Sequence, residues 1–583
     1  MSGLFKKKSI AGLLLEAASG EGGLKKTLGA WSLIALGIGA IIGAGLFVRT
    51  ASASAGAAGS GVTLSFAVAA IGCAFAGLCY AEFASTIPIA GSAYTYAYAT
   101  LGEIVAWIIG WALVMEYALG AATVSIAWSE YLNNLVGGAI PYEWCHSPFE
   151  HINKVIGMEN IAKLPLDVIT TAKKGVVLLT DMQVQNMPEH LKALVVDNKV
   201  TGENVAKLPL EFTTAVKNGV LVITDDQLTQ MPKYRSLVQT TNGIINAPAL
   251  LILLAVTMLL IKGTKESAFI NGIIVFVKVA IVLVFIAIGW QFINPGNHDP
   301  YLIPEGTPGH SGIFKWGWGG VIGGAAIVFF AFIGFDAVST AAQEAKNPKR
   351  DMPIGILGSL VICTVLYILF AHVLTGVTHW SEYEHAGKEA SVAYAVNNYM
   401  PGYGWLATSI TIAILAGFSS VILVMLMGQS RVFYSMSKDG LIPKVFSDLH
   451  PKHKTPYKSN IILLLFVGAF AAFVPGSVAG DLTSFGTLFA FVIVCAGIWI
   501  MRVKNPDLVR PFRTPLVPLV PILGILVCLF MICALDVTTL SVAGLWMIVG
   551  LLIYFLYSKR NSVLNNQPDA DAPSKDAPGA IEE

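Results

Sequence analysis

Glycines interrupt two long apolar stretches of this sequence, where a break in a helix could present backbone groups to a ligand. The first stretch reads GIGAIIGAGLF over residues 37–47, with glycines at positions 37, 39, 43 and 45. The second reads FFAFIGFDAVST over residues 329–340 and contains Gly334 and Asp336. Glycine costs about 1 kcal/mol relative to alanine in a helix interior, so four together predict a helix that is broken or tightly packed. A close helix–helix contact is the alternative, because two of them form a GxxxG pattern.

The two interrupted stretches could form the two poles of one binding site. At a break, free N–H groups and the positive end of a helix dipole can hold a carboxylate, and free C=O groups can hold an ammonium group. Paired Gly-interrupted helices in corresponding halves of a membrane protein indicate a transporter site. The pattern therefore suits a zwitterionic α-amino acid.

Two ionisable residues are expected at the same depth. Lys278 is ten residues into an apolar run, or ~15 Å at 1.5 Å per residue, which is half of a ~30 Å hydrocarbon core. Glu116 is twelve residues into another run. A charge at this depth costs at least about 2.5–3.5 kcal/mol, so such residues are functional by default. A buried structural ion pair is the alternative. His372 receives no role, and Glu82 and Glu344 are expected to be solvated or to cap helices.

Composition points to a membrane protein and excludes several other classes. Of 583 residues, 55% are hydrophobic and only 13% are charged, against about 25% charged in soluble domains. The net charge of +1 argues against a nucleic-acid partner. No hydrolase triad, HExxH or P-loop pattern is present, and the seven cysteines form no CxxC spacing. We therefore predict an integral membrane protein that is not an enzyme and has no cofactor or metal.

Twelve apolar runs approach the length of about 20 residues that a spanning helix needs. They cover residues 31–48, 62–83, 104–131, 244–261, 268–292, 320–340, 354–377, 407–432, 461–474, 483–501, 516–535 and 540–557. The sequence thus predicts an all-α integral membrane protein with twelve transmembrane helices.

The charges of the loops predict the orientation. Lysine and arginine close to span ends favour the cytoplasmic side. They gather at the N-terminus, near residues 262–265, 346–350, 444–458, 502–513 and 559–560, which twelve spans place on one side. Both termini are therefore predicted to be cytoplasmic, in the plasma (inner) membrane. Arg49 is a mild exception to this distribution.

A polar insertion separates the third and fourth spans and is predicted to lie outside the membrane. It contains a tandem repeat that begins at Glu159 and again at Glu203. Each unit is predicted to form a helix closed by glycine, at Gly175 or Gly219, and then a strand. The expected product is a small extracytoplasmic α/β module. The predicted units are a cytoplasmic segment (1–30), spans 1–3 (31–140), the insertion (141–240), spans 4–12 (241–558) and a disordered cytoplasmic tail (559–583).

Four strings resemble a known family. They read GGLKKTLGAWSLIALGIGAIIGAGLF, YAEFASTIPIAGSAYTY, FFAFIGFDAVSTAAQEAKNPKRDMPIGI and MGQSRVFYSMSKDGLIP. The chain resembles the amino acid–polyamine–organocation superfamily, and within it the bacterial cationic amino acid transporter branch. The resemblance covers nearly the whole chain apart from the insertion and the tail. It implies a five-plus-five inverted repeat with broken helices 1 and 6.

The resemblance also implies roles for particular residues. A first group would line the substrate site, namely Ile41, Ala44 and Gly45 of the first half and Phe330, Ala331, Ile333, Phe335 and Val338 of the second. Within this group Phe335 would close over the substrate from outside, and Glu116 would face the substrate's side chain. Lys278 would replace the sodium ion of sodium-coupled relatives, and Ser419 or Ser420 would accept its hydrogen bond. Ala44 departs from the Thr or Ser that many members carry.

Together these observations predict a sodium-independent, proton-coupled symporter for cationic or small neutral L-amino acids, working by alternating access. Its partners would be the amino acid, the proton and membrane lipid. An amino acid exchanger of the same fold is one alternative. A receptor that senses amino acids without net transport is the other, and only the insertion favours it.

Overall fold

The computed structural model describes most of the chain outside the insertion. The described residues are 2–9, 12–13, 26–43, 45–89, 91–136, 139–157, 176–178, 199–201, 216–217, 220–222, 239–307, 310, 312–384, 391–533, 535 and 537–566. Ala44, the predicted helices of the repeat and residues 567–583 lie outside them.

Within these residues the chain is mainly helical. The α-helices are α1 (Ala30–Ile41), α2 (Val62–Thr86), α3 (Ser92–Thr100), α4 (Glu103–Leu113), α5 (Gly120–Leu135), α6 (Ala247–Lys262), α7 (Thr264–Gly289), α8 (Gly317–Val328), α9 (Pro348–Val377), α10 (Ser391–Tyr399), α11 (Gly404–Lys438), α12 (Tyr457–Phe473), α13 (Gly476–Lys504), α14 (Leu519–Cys533) and α15 (Val537–Ile553). A π-helical segment, Val114–Leu119, joins α4 to α5.

In the part of the chain that the structure describes, eight helices are long and apolar enough to cross a membrane, and four apolar helices are shorter. The shorter ones are α1, α6, α12 and α14. Large apolar side chains on these helices point outward: Phe276 is 75% exposed and Leu465 is 71% exposed. Lipid tolerates such outer faces, whereas water does not.

Both helices that the glycine pattern marked are broken. After α1 the chain is non-helical at residues 42–43, and helix resumes as a π-turn at Gly45–Arg49, followed by Thr50–Ala53 and Ser54–Ala58. After α8 the chain tightens into a 3₁₀ turn at Phe329–Phe332. It then bends at Gly334, whose φ of +111° is a conformation that side chains other than glycine's rarely adopt. A second 3₁₀ segment, Asp336–Glu344, follows.

The broken helices lie at the centre of the bundle. Helix α1 packs against α7, α9 and α11, and α9 also packs against α2. Nearly all of α11 from Ile410 to Ser437 is buried, because it is surrounded by α5, α7, α6 and α12. The break in α1 is therefore enclosed by α7, α9 and α11.

The described part of the insertion contains short strands, preceded by a 3₁₀ turn at Tyr142–Trp144. β1 (His151–Gly157), β4 (Val216–Lys217), β5 (Val220–Val222) and β6 (Gln239–Asn242) form an antiparallel sheet in the order β4-β5-β1-β6, and β2 (Val176–Leu178) pairs with β3 (Lys199–Thr201). The strands predicted after Gly175 and Gly219 are thus present as β2 and β5. The base of the insertion is closed, because Gly243 N donates to Glu150 O at 3.0 Å.

The chain is ordered beyond the predicted start of the tail. Short helices continue to Asn566, and the buried carboxylate of Glu103 accepts hydrogen bonds from Ser562 and, at 2.7 Å, from Asn565. The expectation of disorder from residue 559 is therefore wrong for residues 559–566. The reason is a long-range anchor that local composition does not reveal.

Glu82 and Glu344 are not solvated as predicted. Glu82 is fully buried and accepts two hydrogen bonds from Arg502, at 2.8 and 2.9 Å. Glu344 is buried and paired with Arg431. Both carboxylates are paired inside the bundle because a buried charge without a partner is strongly unfavourable.

Candidate binding site

The two breaks cross each other in direct contact. A Cβ added to Gly45 would lie 2.6 Å from the Cβ of Ala331 and closer still to its Cα. A Cβ added to Gly334 would lie 2.8 Å from the Cβ of Ala40. Each broken helix therefore uses a glycine to receive an alanine of the other, and a larger residue at either glycine would separate them.

A buried tyrosine ties the two breaks together. The hydroxyl of Tyr367 on α9 lies 2.8 Å from the carbonyl oxygen of Ile41 and 3.0 Å from that of Ala331. These carbonyls lie where helical hydrogen bonding stops, so the hydroxyl satisfies acceptors that the breaks expose. Sequence reasoning missed Tyr367, because a lone tyrosine in an apolar run gives no signal of its partner.

Lys278 binds the first break. Its fully buried ammonium donates to the carbonyl oxygens of Gly39 at 2.8 Å and Ile42 at 2.9 Å. Ser420, one of the two serines expected to accept its hydrogen bond, has another role: its hydroxyl lies 3.1 Å from Gly39 O and 2.6 Å from Asn271 Oδ1, both of them acceptors. Lys278 of α7 and Ser420 of α11 thus both lie within hydrogen-bond distance of the Gly39 carbonyl oxygen in α1.

Ser419 does not contact Lys278 either. Its hydroxyl donates to Leu415 O, at 2.9 Å, one turn back on its own helix. Adjacent residues on a helix face different directions, so only one of the two serines can face α1. The prediction that Ser419 or Ser420 accepts a hydrogen bond from Lys278 is therefore wrong, because the backbone carbonyls of Gly39 and Ile42 accept instead.

A small cavity of about 20 Å³ lies at the crossing. Four predicted site residues line it, namely Ile41, Gly45, Phe330 and Ile333, together with Ala40, Gly43, Gly120, Val124, Val421, Met425 and Thr483. A water molecule needs roughly 10–15 Å³ of such volume. An amino acid therefore requires the surrounding helices to move apart.

Of the two candidate phenylalanines, only Phe330 lines the small cavity as expected. Phe335 was predicted to cover the site from outside, but its ring is fully buried, 6.0 Å from the ring of Tyr80 and 5.0 Å from that of Phe491. Phe330 lines the small cavity and also a second cavity of about 310 Å³ that Arg49 lines. Phe335 follows the bend at Gly334 and does not line the small cavity, whereas Phe330 lines both cavities.

Glu116 does not line the small cavity. It is fully buried in the π-helical segment beside the carboxyl group of Asp336. Tyr117 donates to Asp336 at 2.5 Å, while neither Glu116 oxygen has a well-formed hydrogen bond to a described residue. The prediction that Glu116 faces the substrate's side chain does not match this position. Glu116 lies within a π-turn, where side chains point in other directions than in a regular α-helix.

The remaining predicted residues pack between helices. Val338 lies on the far side of the bend, against the positions of Gly37 and Gly355. Ala331 contacts Gly45 rather than the cavity. Ala44 lies outside the described residues.

Comparisons with known proteins agree with this architecture. A match to the amino acid permease family spans residues 28–556. The branched-chain amino acid permease of Bacillus subtilis (strain 168) is 39% identical over 562 residues, which cover 96% of this chain and 99% of that protein. The methylthioribose transporter of the same organism is 33% identical, and the alignment covers 97% of this chain and 100% of that protein. The vacuolar cationic amino acid transporter 4 of Arabidopsis thaliana is 28% identical, and the alignment covers 87% of this chain and 68% of that protein.

Relatives of this identity and coverage establish the family. The long apolar helices with exposed apolar faces, the broken helix pair and these matches agree. The chain is therefore a multi-pass membrane protein and a transporter rather than an enzyme, and it belongs to the amino acid permease family of the APC superfamily.

Proposed function

We propose that this protein is a sodium-independent, proton-coupled amino acid symporter that works by alternating access. The observation that carries the proposal is the ammonium of Lys278, held by two carbonyl oxygens of the broken first helix. A cation is needed there to satisfy carbonyls that the break exposes. A lysine supplies this charge from within the chain, so no sodium ion is required.

The same lysine can carry the transported proton. Burial disfavours a charged amine, and the two carbonyls favour it, so a small structural change can shift the balance. When the helices hold the carbonyls in place, the protonated form stabilises the crossing. When the proton leaves, Gly39 and Ile42 lose their donor and α1 is released from α7. Proton release would then be linked to opening of the site.

The substrate would bind at the crossing of the broken helices. The helix that resumes at Gly45 presents its first N–H groups to a carboxylate. Carbonyls of the bend near Gly334 can accept the α-ammonium. The walls of the small cavity are apolar apart from Thr483, and no acidic side chain of a described residue lines it. We therefore propose neutral amino acids with apolar side chains as substrates, which agrees with the name of the branched-chain amino acid permease of Bacillus subtilis.

The membrane arrangement is also part of the proposal. The eight long and four shorter apolar helices of the described residues fit twelve spans in a five-plus-five repeat, because the long segment Gly45–Thr86 contains both the second part of the first broken helix and the second span. The loop charges favour cytoplasmic termini in the plasma membrane and an insertion outside it.

A closed contact lies at the predicted cytoplasmic end. The N–H groups of Thr27 and Leu28 both donate to Glu344 O at 2.9 Å, and Lys346 N donates to Leu28 O at 2.8 Å. The side chain of Glu344 is paired with Arg431. Inward opening would have to separate these strand-like contacts between the first and second broken helices.

The test is uptake of leucine into proteoliposomes with an imposed pH gradient, with and without sodium. We expect accumulation that rises as the outside becomes more acidic and is indifferent to sodium. Lys278→Met should lose pH-driven accumulation while retaining leucine binding in a thermal-shift assay. Sodium dependence of the wild type, or full accumulation by Lys278→Met, would refute the mechanism. Uptake only into vesicles preloaded with an amino acid would identify an exchanger.

A further inference from the structure

Asn271 is a buried polar residue of α7 to which the proposed transport cycle gives no role. Its side chain is 2% exposed, and it lies seven residues, or about two helical turns, before Lys278. The two side chains therefore leave α7 from the same face. Burying an amide is unfavourable unless its polar atoms find hydrogen-bond partners, so the partners of Asn271 indicate what it does.

Asn271 packs directly against the first broken helix at Gly39. A Cβ built on Gly39 would lie 2.8 Å from Oδ1 of Asn271, 2.9 Å from its Nδ2 and 3.0 Å from Oγ of Ser420. A side chain at position 39 would thus displace both polar groups. Glycine at this position lets an amide of α7 and a hydroxyl of α11 approach the backbone of α1.

The hydroxyl of Ser420 has two acceptors and one proton. Its Oγ lies 2.6 Å from Oδ1 of Asn271 and 3.1 Å from the carbonyl oxygen of Gly39. A serine hydroxyl carries a single hydrogen, so these two acceptors compete for it. Both acceptors belong to other helices, whereas the neighbouring Ser419 donates to Leu415 O of its own helix.

The carbonyl of Gly39 is also one of the two that hold Lys278. The ammonium donates to it at 2.8 Å and to the carbonyl oxygen of Ile42 at 2.9 Å. When Ser420 also donates to Gly39, its positive hydrogen points toward the oxygen that the ammonium uses, and this disfavours the charged lysine. When the hydroxyl turns to Asn271, the Gly39 carbonyl is left to the ammonium.

Few ionisable groups compete with this effect. On α9 the thiol of Cys363 is close enough to Lys278 to interact with it electrostatically, and the hydroxyl of Tyr367 binds carbonyls of the two breaks. The other helical segments packed around the lysine contain no ionisable side chain in their sequence, namely α1 and residues 247–261, 267–277, 279–289 and 404–430. The charge of Lys278 therefore depends mainly on its two carbonyls and on the dipoles that reach them.

We propose that Asn271 is a positioning residue for Lys278 that acts through Ser420. The proposal rests on the proposed proton-coupled function and assigns the setting of its pH range to two neutral side chains. With its hydroxyl turned to Asn271, Ser420 leaves the Gly39 carbonyl to the protonated lysine. With its hydroxyl turned to Gly39, Ser420 replaces the lysine as donor when the proton leaves. Asn271 thus provides the second acceptor that this exchange requires.

The test is the pH dependence of leucine uptake into proteoliposomes for the wild type, Asn271→Leu and Ser420→Ala. Asn271→Leu leaves the Ser420 hydroxyl with the Gly39 carbonyl alone, so half-maximal uptake should move to lower pH. Ser420→Ala removes the competing donor, so half-maximal uptake should move to higher pH. Each shift should be about half a pH unit to one pH unit, as expected for one hydrogen bond. The double variant should follow Ser420→Ala, because Asn271 acts through the hydroxyl.

Ser419→Ala is the matched control, because it removes the neighbouring hydroxyl, which bonds within its own helix, and it should leave the pH profile unchanged. Shifts of Asn271→Leu and Ser420→Ala in the same direction, or no shift in either, would overturn the role of Asn271. A wild type without pH-driven uptake would instead refute the proposed function. If Asn271→Leu does not fold, Asn271→Ala removes the same acceptor with a smaller side chain and should give the same shift to lower pH.

Discussion

Replacing Gly45 by alanine tests the contact between the two broken helices with a single methyl group. The new Cβ would lie 2.6 Å from the Cβ of Ala331, about 1 Å short of ordinary van der Waals contact. Its neighbours are backbone and Cβ atoms, which cannot rotate away. Overpacking of this kind costs about 1–3 kcal/mol. The methyl group would also enter a cavity of only about 20 Å³.

The matched control is Gly56→Ala in the same broken helix, where no heavy atom lies within 4 Å of the new Cβ. Because the backbone there is helical, alanine should stabilise the folded protein by about 0.4–1 kcal/mol. The two substitutions should therefore shift the thermal unfolding temperature of the purified protein in opposite directions. Leucine affinity should fall about tenfold in Gly45→Ala, as expected for a loss near 1.4 kcal/mol. Unchanged affinity and stability in Gly45→Ala would refute the proposed crossing.

Three further predictions follow from individual contacts. Tyr367→Phe should lower the free energy of unfolding by about 1–3 kcal/mol, because two buried carbonyls lose their hydroxyl donor. Tyr80→Phe is the control, because it removes a buried hydroxyl without a described partner and should leave the free energy of unfolding nearly unchanged. Denaturation curves of both variants test this difference. Burial and the neighbouring His372 lower the pKa of His298, so the folded state favours its neutral form. The folded protein should therefore keep its stability above about pH 6.5 and lose part of it as the pH falls. His298→Gln should flatten that part of the pH–stability profile, and an unchanged profile would contradict the role of His298. Replacing residues 151–242 by a short glycine linker should preserve leucine uptake, because Glu150 and Gly243 at its two ends are already joined by a backbone hydrogen bond. Complete loss of leucine binding in a well-folded deletion variant would show instead that the insertion takes part in recognition.

Sequence reasoning predicted which segments of the chain form the site better than it predicted which side chains contact each other. The breaks near Gly45 and Gly334 were predicted because glycine is unfavourable in the interior of a helix, so several glycines in one apolar run indicate that the helix is interrupted or closely packed there. Lys278 was predicted because an amine cannot lie at mid-membrane without a partner. Both arguments use only local composition and the length of a helix. They required no knowledge of which helices are neighbours.

The misplaced residues share a different cause. Glu116 and Phe335 were assigned by depth and by resemblance, but a π-turn and a glycine bend rotate their side chains away from the cavity. Ser419 and Ser420 were equal candidates until packing showed that only Ser420 faces α1. A change of helical twist within a few residues has no reliable signal in composition.

The sequence alone was sufficient to predict a helical membrane protein, its two broken helices and the burial of Lys278. These properties follow from the hydrophobic length of each segment and the backbone preferences of glycine. Only the tertiary structure could place Tyr367 between the two breaks and Arg49 over Phe330. The contacts of Tyr367 with Ile41 and of Arg49 with Phe330 join residues about 280 to 330 positions apart, so they depend on how the helices pack and not on the residues beside them in the chain.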